Sequence, residues 1–176
     1  MQKQTSNEII NHSSDGFSPN AFIWTWIAIA SFVVMFISIG LLEKWQGIKY
    51  VLTYSAVLSH LSLLPVVAAL HAPPWAKVGG YTWAVFDTIL VVASLHGVSD
   101  SIASPLRLGL HVVAAVWPLG VALTSNGFIR WAGYALAITI GIIPLLGSLV
   151  PPYTVFIVMP FIFIWLGTIA WKLRKN

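Results

Sequence analysis

A chain of 176 residues is about one domain's worth, and 58% of it is hydrophobic while only 8% is charged, with a mean hydropathy of +0.86. Soluble domains carry roughly 25% charged residues, so 9 Lys+Arg and 5 Asp+Glu cannot cover a 19.2 kDa globule, and the composition is that of a polytopic membrane protein. The absence of cysteine excludes disulfide scaffolds, thiolate zinc sites, Fe–S clusters and cysteine nucleophiles. A net charge of +4 does not signal nucleic acid, because the basic residues are scattered between apolar runs and form no stripe.

Residues 1–20 form a polar tail without an apolar run, so no cleavable signal peptide is expected there. The first span is expected at 21–42, and its 22 residues reach roughly 33 Å at a rise of ~1.5 Å, enough for a hydrocarbon core of about 30 Å. Glu43, Lys44 and Lys49 separate it from a second span at 50–70, which Pro73-Pro74 is expected to close. Lys77-Val78-Gly79-Gly80 reads as a connection to a third span at 81–98, which contains Asp87 and His96. Spans at 106–123, 129–150 and 153–173 follow, with Thr124-Ser125-Asn126-Gly127 and Pro151-Pro152 as turns and 174–176 as a basic end. The expected fold is an all-α membrane bundle of about six antiparallel helices occupying 21–173, with no soluble domain.

Six spans place both termini on one side. That side carries Lys3, Lys77, Arg130, Lys172, Arg174 and Lys175, against Lys44, Lys49 and Arg107 opposite, so the positive-inside rule puts both termini in the cytoplasm of a bacterial-type inner membrane. Trp24, Trp26, Trp45, Trp75, Trp83, Trp131 and Trp171 fall near span ends, as interfacial belts require, whereas Trp117 and Trp165 lie deeper and read as packing residues.

A weak internal repeat is visible. Lys44-Trp45-Gln46-Gly47 and Arg130-Trp131-Ala132-Gly133 share a basic-Trp-x-Gly pattern, and in each case an internal proline (Pro65, Pro144) precedes a Pro-Pro pair capped by an aromatic residue. Two inverted halves of three helices would be a transporter-like architecture, although the spacing from glycine to proline differs between the halves. Pro65, Pro118, Pro144 and Pro160 inside spans each remove a backbone hydrogen bond and bend a helix, which favours an internal cavity.

An ionisable side chain at mid-bilayer costs at least about 2.5 kcal/mol on insertion scales, so those within spans are the first functional candidates. Asp87 and His60 lie near the middle of adjacent spans and are expected to meet, forming a proton-holding pair suited to coupled transport or to acid/base catalysis. Ser55, Ser59, Ser62 and Thr88 supply hydroxyls nearby. A second group, His96, Asp100, Arg107 and His111, flanks the third connection in two pairs spaced four apart and is the candidate substrate-binding cluster, with Asp100 expected to pair with Arg107. Two histidines and a carboxylate suggest a divalent metal, but the fixed charge of Arg107 repels a cation and no metal is expected. A haem held by two histidines, such as His60 and His111, is a minor alternative, and no second histidine ladder exists for a pair of haems, so no cofactor is expected.

No P-loop, nucleophile elbow, H-E-x-x-H, potassium filter or intramembrane lysine is present, and no GxxxG specifies a dimer. Three classes of function remain. The first is a carrier of a small apolar or amphipathic ligand, with or without proton coupling. The second is an intramembrane isomerase or cyclase acting on a lipid-like or terpenoid substrate. The third is an accessory subunit of a membrane complex. The lipid bilayer is the expected partner in all three, with a second membrane protein or a second copy of the chain left open.

Overall fold

The computed structural model of the protein describes residues 20–41, 45, 47–146 and 155–174. Six α-helices follow in order: α1 (Ala21–Leu41), α2 (Ile48–Ala69), α3 (Pro74–Leu95), α4 (Asp100–Thr124), α5 (Phe128–Leu146) and α6 (Val155–Arg174). All six are long and apolar enough to cross a membrane. Large apolar side chains such as Ile37, Tyr54, Phe86, Ile89 and Leu145 are exposed on the outside of the bundle, as a lipid-facing surface demands.

Two helices begin earlier than the sequence pattern suggests. α3 starts at Pro74 rather than Tyr81, because a proline at the first helical position has no N–H to lose and already holds a helical φ. Gly79 and Gly80, expected in a connection, lie inside α3 where neighbouring helices come close: a Cβ on Gly80 would stand 3.0 Å from both Trp117 Cγ and Val67 Cγ2. α4 starts at Asp100 rather than at 106, capped by Ser99, whose hydroxyl accepts the Ser101 backbone N–H at 3.3 Å. α3 ends at Leu95, and Gly97 then takes φ +96° to turn the chain, a conformation that glycine adopts freely.

Each helix packs against its neighbours in sequence, and α6 returns to α1, so the six form a closed ring. The two ends of the ring differ. On the side of the termini the helices approach on small residues: Gly79 and Gly80 of α3, Gly120 of α4 against Ala76, and Gly133 of α5 against the Pro118 carbonyl. Val66, Val67, Val121, Ile169 and Ala170 fill this half and are almost wholly buried. The other half encloses a cavity of about 730 Å³ lined from all six helices. Its wall uses the C-terminal halves of α1, α3 and α5 and the N-terminal halves of α2, α4 and α6, and reaches just past mid-helix to Trp83, Trp117 and Trp165. Trp117 and Trp165 meet edge to face, with centroids 4.8 Å apart and planes at 83°.

The repeat is only partly reflected in local structure. Pro65 is the eighteenth residue of α2 and Pro144 the seventeenth of α5, so the internal prolines match to within one position. Gly47, however, precedes α2 while Gly133 lies inside α5, and Pro151 and Pro152 are outside the described residues.

A Cβ at Gly120 would collide with the Ala76 Cβ, which is fixed to backbone and cannot swing aside. Gly120→Ala is therefore expected to destabilise the bundle by about 1–3 kcal/mol through overpacking. Gly109→Ala, which meets nothing within 4 Å, should be neutral or stabilising by up to ~1 kcal/mol from helix propensity. Thermal unfolding of the two detergent-solubilised variants checks this, and equal melting temperatures would contradict the packing described.

Candidate functional site

Asp87 is 1% exposed and sits on the inner face of α3 near mid-helix. In the antiparallel α3–α4 hairpin, Arg107, the eighth residue of α4, comes to the same depth. Its Nε donates to Asp87 Oδ1 at 3.0 Å and its Nη2 to Oδ2 at 3.4 Å, a two-pronged contact in which the planar fork of the guanidinium matches the carboxylate. From the opposite side, His60 of α2 brings Nε2 to 3.1 Å from Asp87 Oδ2. One carboxylate thus ties together α2, α3 and α4.

The orientation of His60 is fixed by its surroundings. Its Nδ1–H donates to the Ala56 carbonyl at 2.6 Å, and its ring packs edge to face with Trp83, centroids 4.8 Å apart, and with Phe32 at 6.1 Å. A carbonyl oxygen only accepts, so Nδ1 carries a hydrogen. The contact between Nε2 and Oδ2 is then attractive only if a proton lies between them, on the ring or on the carboxyl group. In both placements the sum over His60, Asp87 and Arg107 is the same, one positive charge.

Arg107 and His111 both line the cavity together with His60 and Asp87. His111 Nδ1–H donates to the Arg107 carbonyl at 2.6 Å, and no residue among those described takes up its Nε2. The Arg107 side chain keeps 38% of its exposure. Of the five N–H groups of a guanidinium, Asp87 engages two, and the other three have no partner among the described residues. Lys49, in the first turn of α2, also lines the cavity, with Nζ 5.1 Å from the Tyr50 ring centroid. The rest of the wall is mainly apolar, with Phe32, Phe36, Ile140 and Ile162 among its residues.

The second expected cluster is divided by the structure. Arg107 turns inward to Asp87 instead of clamping the connection, because α4 starts two turns before it. His96 caps the C-terminus of α3 and is exposed, away from the cavity, so it does not share a helical face with Asp100. Asp100 opens α4, and its side chain lies outside the described residues. His71 is exposed in the α2–α3 connection.

The hydroxyls expected around the pair serve their own helices. Ser55, Ser59, Ser62 and Thr88 donate to the carbonyls of Leu52, Ala56, Leu58 and Ala84. Trp83, expected in an interfacial belt, is instead buried against His60, since α3 begins seven residues earlier than expected. Both ring nitrogens of His60 are engaged, which leaves none for a haem iron. Among the described residues no three His, Asp or Glu side chains converge as metal ligands.

The arrangement is a cavity with an ion-pair cluster on its wall, in which three N–H groups of Arg107 have no partner among the described residues. Comparison with protein-family models, with characterised proteins and with solved structures finds no match to this chain.

Removing one partner of a buried ion pair leaves the other uncompensated and costs about 3–5 kcal/mol. The lower end applies to Asp87→Asn, because Arg107 is 38% exposed. The double variant Asp87→Asn/Arg107→Gln should recover at least ~1 kcal/mol relative to the sum of the single variants. Denaturation of the wild type and the three variants in detergent forms the cycle, and strict additivity would show that the pair is not coupled.

Proposed function

We propose that the protein binds a small amphipathic molecule in the central cavity and carries it across the bilayer, with the His60–Asp87 pair as the proton-coupling element. The observation that carries this reading is the one-sided cavity with the buried His60–Asp87 contact at 3.1 Å on its wall. About 730 Å³ falls within the ~300–1,000 Å³ of pockets that enclose small ligands. A cavity confined to one half of a bundle, with close glycine contacts in the other, is the form that an alternating-access carrier takes in one of its two states. Helices with an internal proline at matching positions, α2 and α5, give such a bundle elements that can rock.

The proposed orientation rests on the distribution of charge. With Arg107 drawn into the membrane interior, the face opposite the termini retains only Lys44 and Lys49, and the positive-inside bias toward cytoplasmic termini grows. The cavity then faces away from the cytoplasm, in what we take to be a bacterial inner membrane.

A second reading is favoured by the same contact: with Asp87 as acid and His60 as base, the cavity could isomerise or cyclise a lipid-like or terpenoid substrate.

Protein in phosphatidylcholine nanodiscs is expected to bind at least one of octanoate, octanol and octylamine saturably. Thr53→Trp, which places an indole among the cavity-lining residues, should weaken that binding about tenfold or more. An unchanged affinity in Thr53→Trp would show that the cavity is not the site. In proteoliposomes holding a pH-sensitive dye, the bound amphiphile should move chemically unchanged and acidify or alkalinise the lumen, a signal lost in Asp87→Asn. A chemically altered amphiphile would favour the enzyme.

A further inference from the structure

The charges and free donors in the cavity have one sign. Asp87 is the only carboxylate among the described lining residues, and both of its oxygens are occupied: Oδ1 by Arg107 Nε, and Oδ2 by Arg107 Nη2 and His60 Nε2. It therefore has little left to offer a cationic ligand. Against it stand Arg107, with three N–H groups free of partners among the described residues, the proton shared by His60, and Lys49 at the first turn of α2, which has no carboxylate partner among the described residues. Arg107 and Lys49 thus set two cationic side chains against one carboxylate, and the proton that the His60–Asp87 contact calls for adds to the positive side. The remaining lining is dominated by aliphatic and aromatic side chains, which offer a tail no polar competition.

Fixed positive charge beside low-dielectric walls focuses an attractive field on an anion. A guanidinium already oriented by one carboxylate is held ready to share its remaining N–H groups with a second. We infer that the ligand of this cavity is an amphipathic anion, whose acidic head is held by Arg107, with the charge of Lys49 at the first turn of α2 adding to the attractive field, and whose apolar portion lies against Phe32, Phe36, Ile140 and Ile162. The inference rests on the proposal that the cavity binds a small amphiphile and adds the charge of that amphiphile. The acid group belongs either to a free alkyl acid or to an anionic lipid. The enclosed volume favours the smaller molecule, since the cavity is of a size that encloses one drug-sized ligand.

Full-length protein in phosphatidylcholine nanodiscs at low salt separates the outcomes. Octanoate should bind about tenfold or more tightly than octanol or octylamine, as charge-assisted hydrogen bonds require. Lys49→Gln lies at an exposed position at the helix start and should leave the fold intact. It is expected to weaken octanoate about fivefold and to leave octanol unchanged, and added salt should weaken octanoate alone. Arg107→Gln should abolish the preference for octanoate, and the melting curve of each variant separates lost binding from lost fold. Competition by phosphatidylglycerol in the disc would assign the anionic head to a lipid, and its absence to a free acid; both keep the anionic class. Equal or tighter binding of octanol or octylamine overturns the anion while leaving the binding proposal in place. Saturable binding of none of the three overturns both.

Discussion

Placing a carboxylate in the middle of a membrane-spanning helix sets the constraint around which this molecule is organised. Asp87 is 1% exposed, and an ion in that position is stable only when its charge is met and its lone pairs are filled. No side chain of α3 does so. The nearest hydroxyl in sequence, Thr88, turns back on its own helix, so the compensation comes from the helices on either side: the guanidinium of Arg107 from α4 and the imidazole of His60 from α2. That requirement fixes the relative depth and rotation of three consecutive helices. Hydrophobic packing between apolar helices in lipid specifies neither strongly, because lipid tails are as apolar as the side chains.

The remainder of the bundle accommodates this cluster by being unequal along its length. In the half nearer the termini, glycine and alanine at the helix contacts let backbones approach until a single added methyl group would collide, as at Gly120 and Ala76. In the other half the helices stand apart around the cavity, and the ion-pair cluster lies on its wall near the boundary between the two halves. Trp83, Trp117 and Trp165 mark that boundary, with their indole N–H groups buried and without acceptors among the described residues. Edge-to-face ring contacts at 4.8 Å offset part of that loss. The Asp87 cluster is set into a wall that is otherwise mainly apolar, with Lys49 at the first turn of α2 as a separate charge.

Much of this is legible in the sequence, and the failures share one cause. Long apolar runs announce six spans, and the scarcity of mid-span ionisable groups singles out Asp87 and His60, which the structure brings to 3.1 Å. Arg107 is missed as the partner of Asp87 because Pro105 and the serines before it read as a turn, whereas Ser99-Asp100-Ser101 is a helix start. Moving that start from 106 to 100 carries Arg107 from the membrane surface to the depth of Asp87. Pro74 and the Gly79-Gly80 pair mislead in the same way at the head of α3, and the shift takes Trp83 from an interfacial belt to the side of His60. Capping chemistry, which marks where a helix begins, would have corrected both where hydropathy alone could not. The unequal packing of the two halves is not legible at all, since it depends on which glycines face which neighbours in the closed ring.

Because the chain has no cysteine of its own, single introduced cysteines test the one-sided cavity most directly. Thr53→Cys and Ile143→Cys on the cavity wall, and Val121→Cys and Ala76→Cys in the close-packed half, can each be exposed to a small water-soluble methanethiosulfonate in nanodiscs. The account requires rapid modification at the first two positions, slowed by a bound amphiphile, and little at the second two. Equal protection at all four positions, or faster reaction at Val121→Cys and Ala76→Cys, would contradict it.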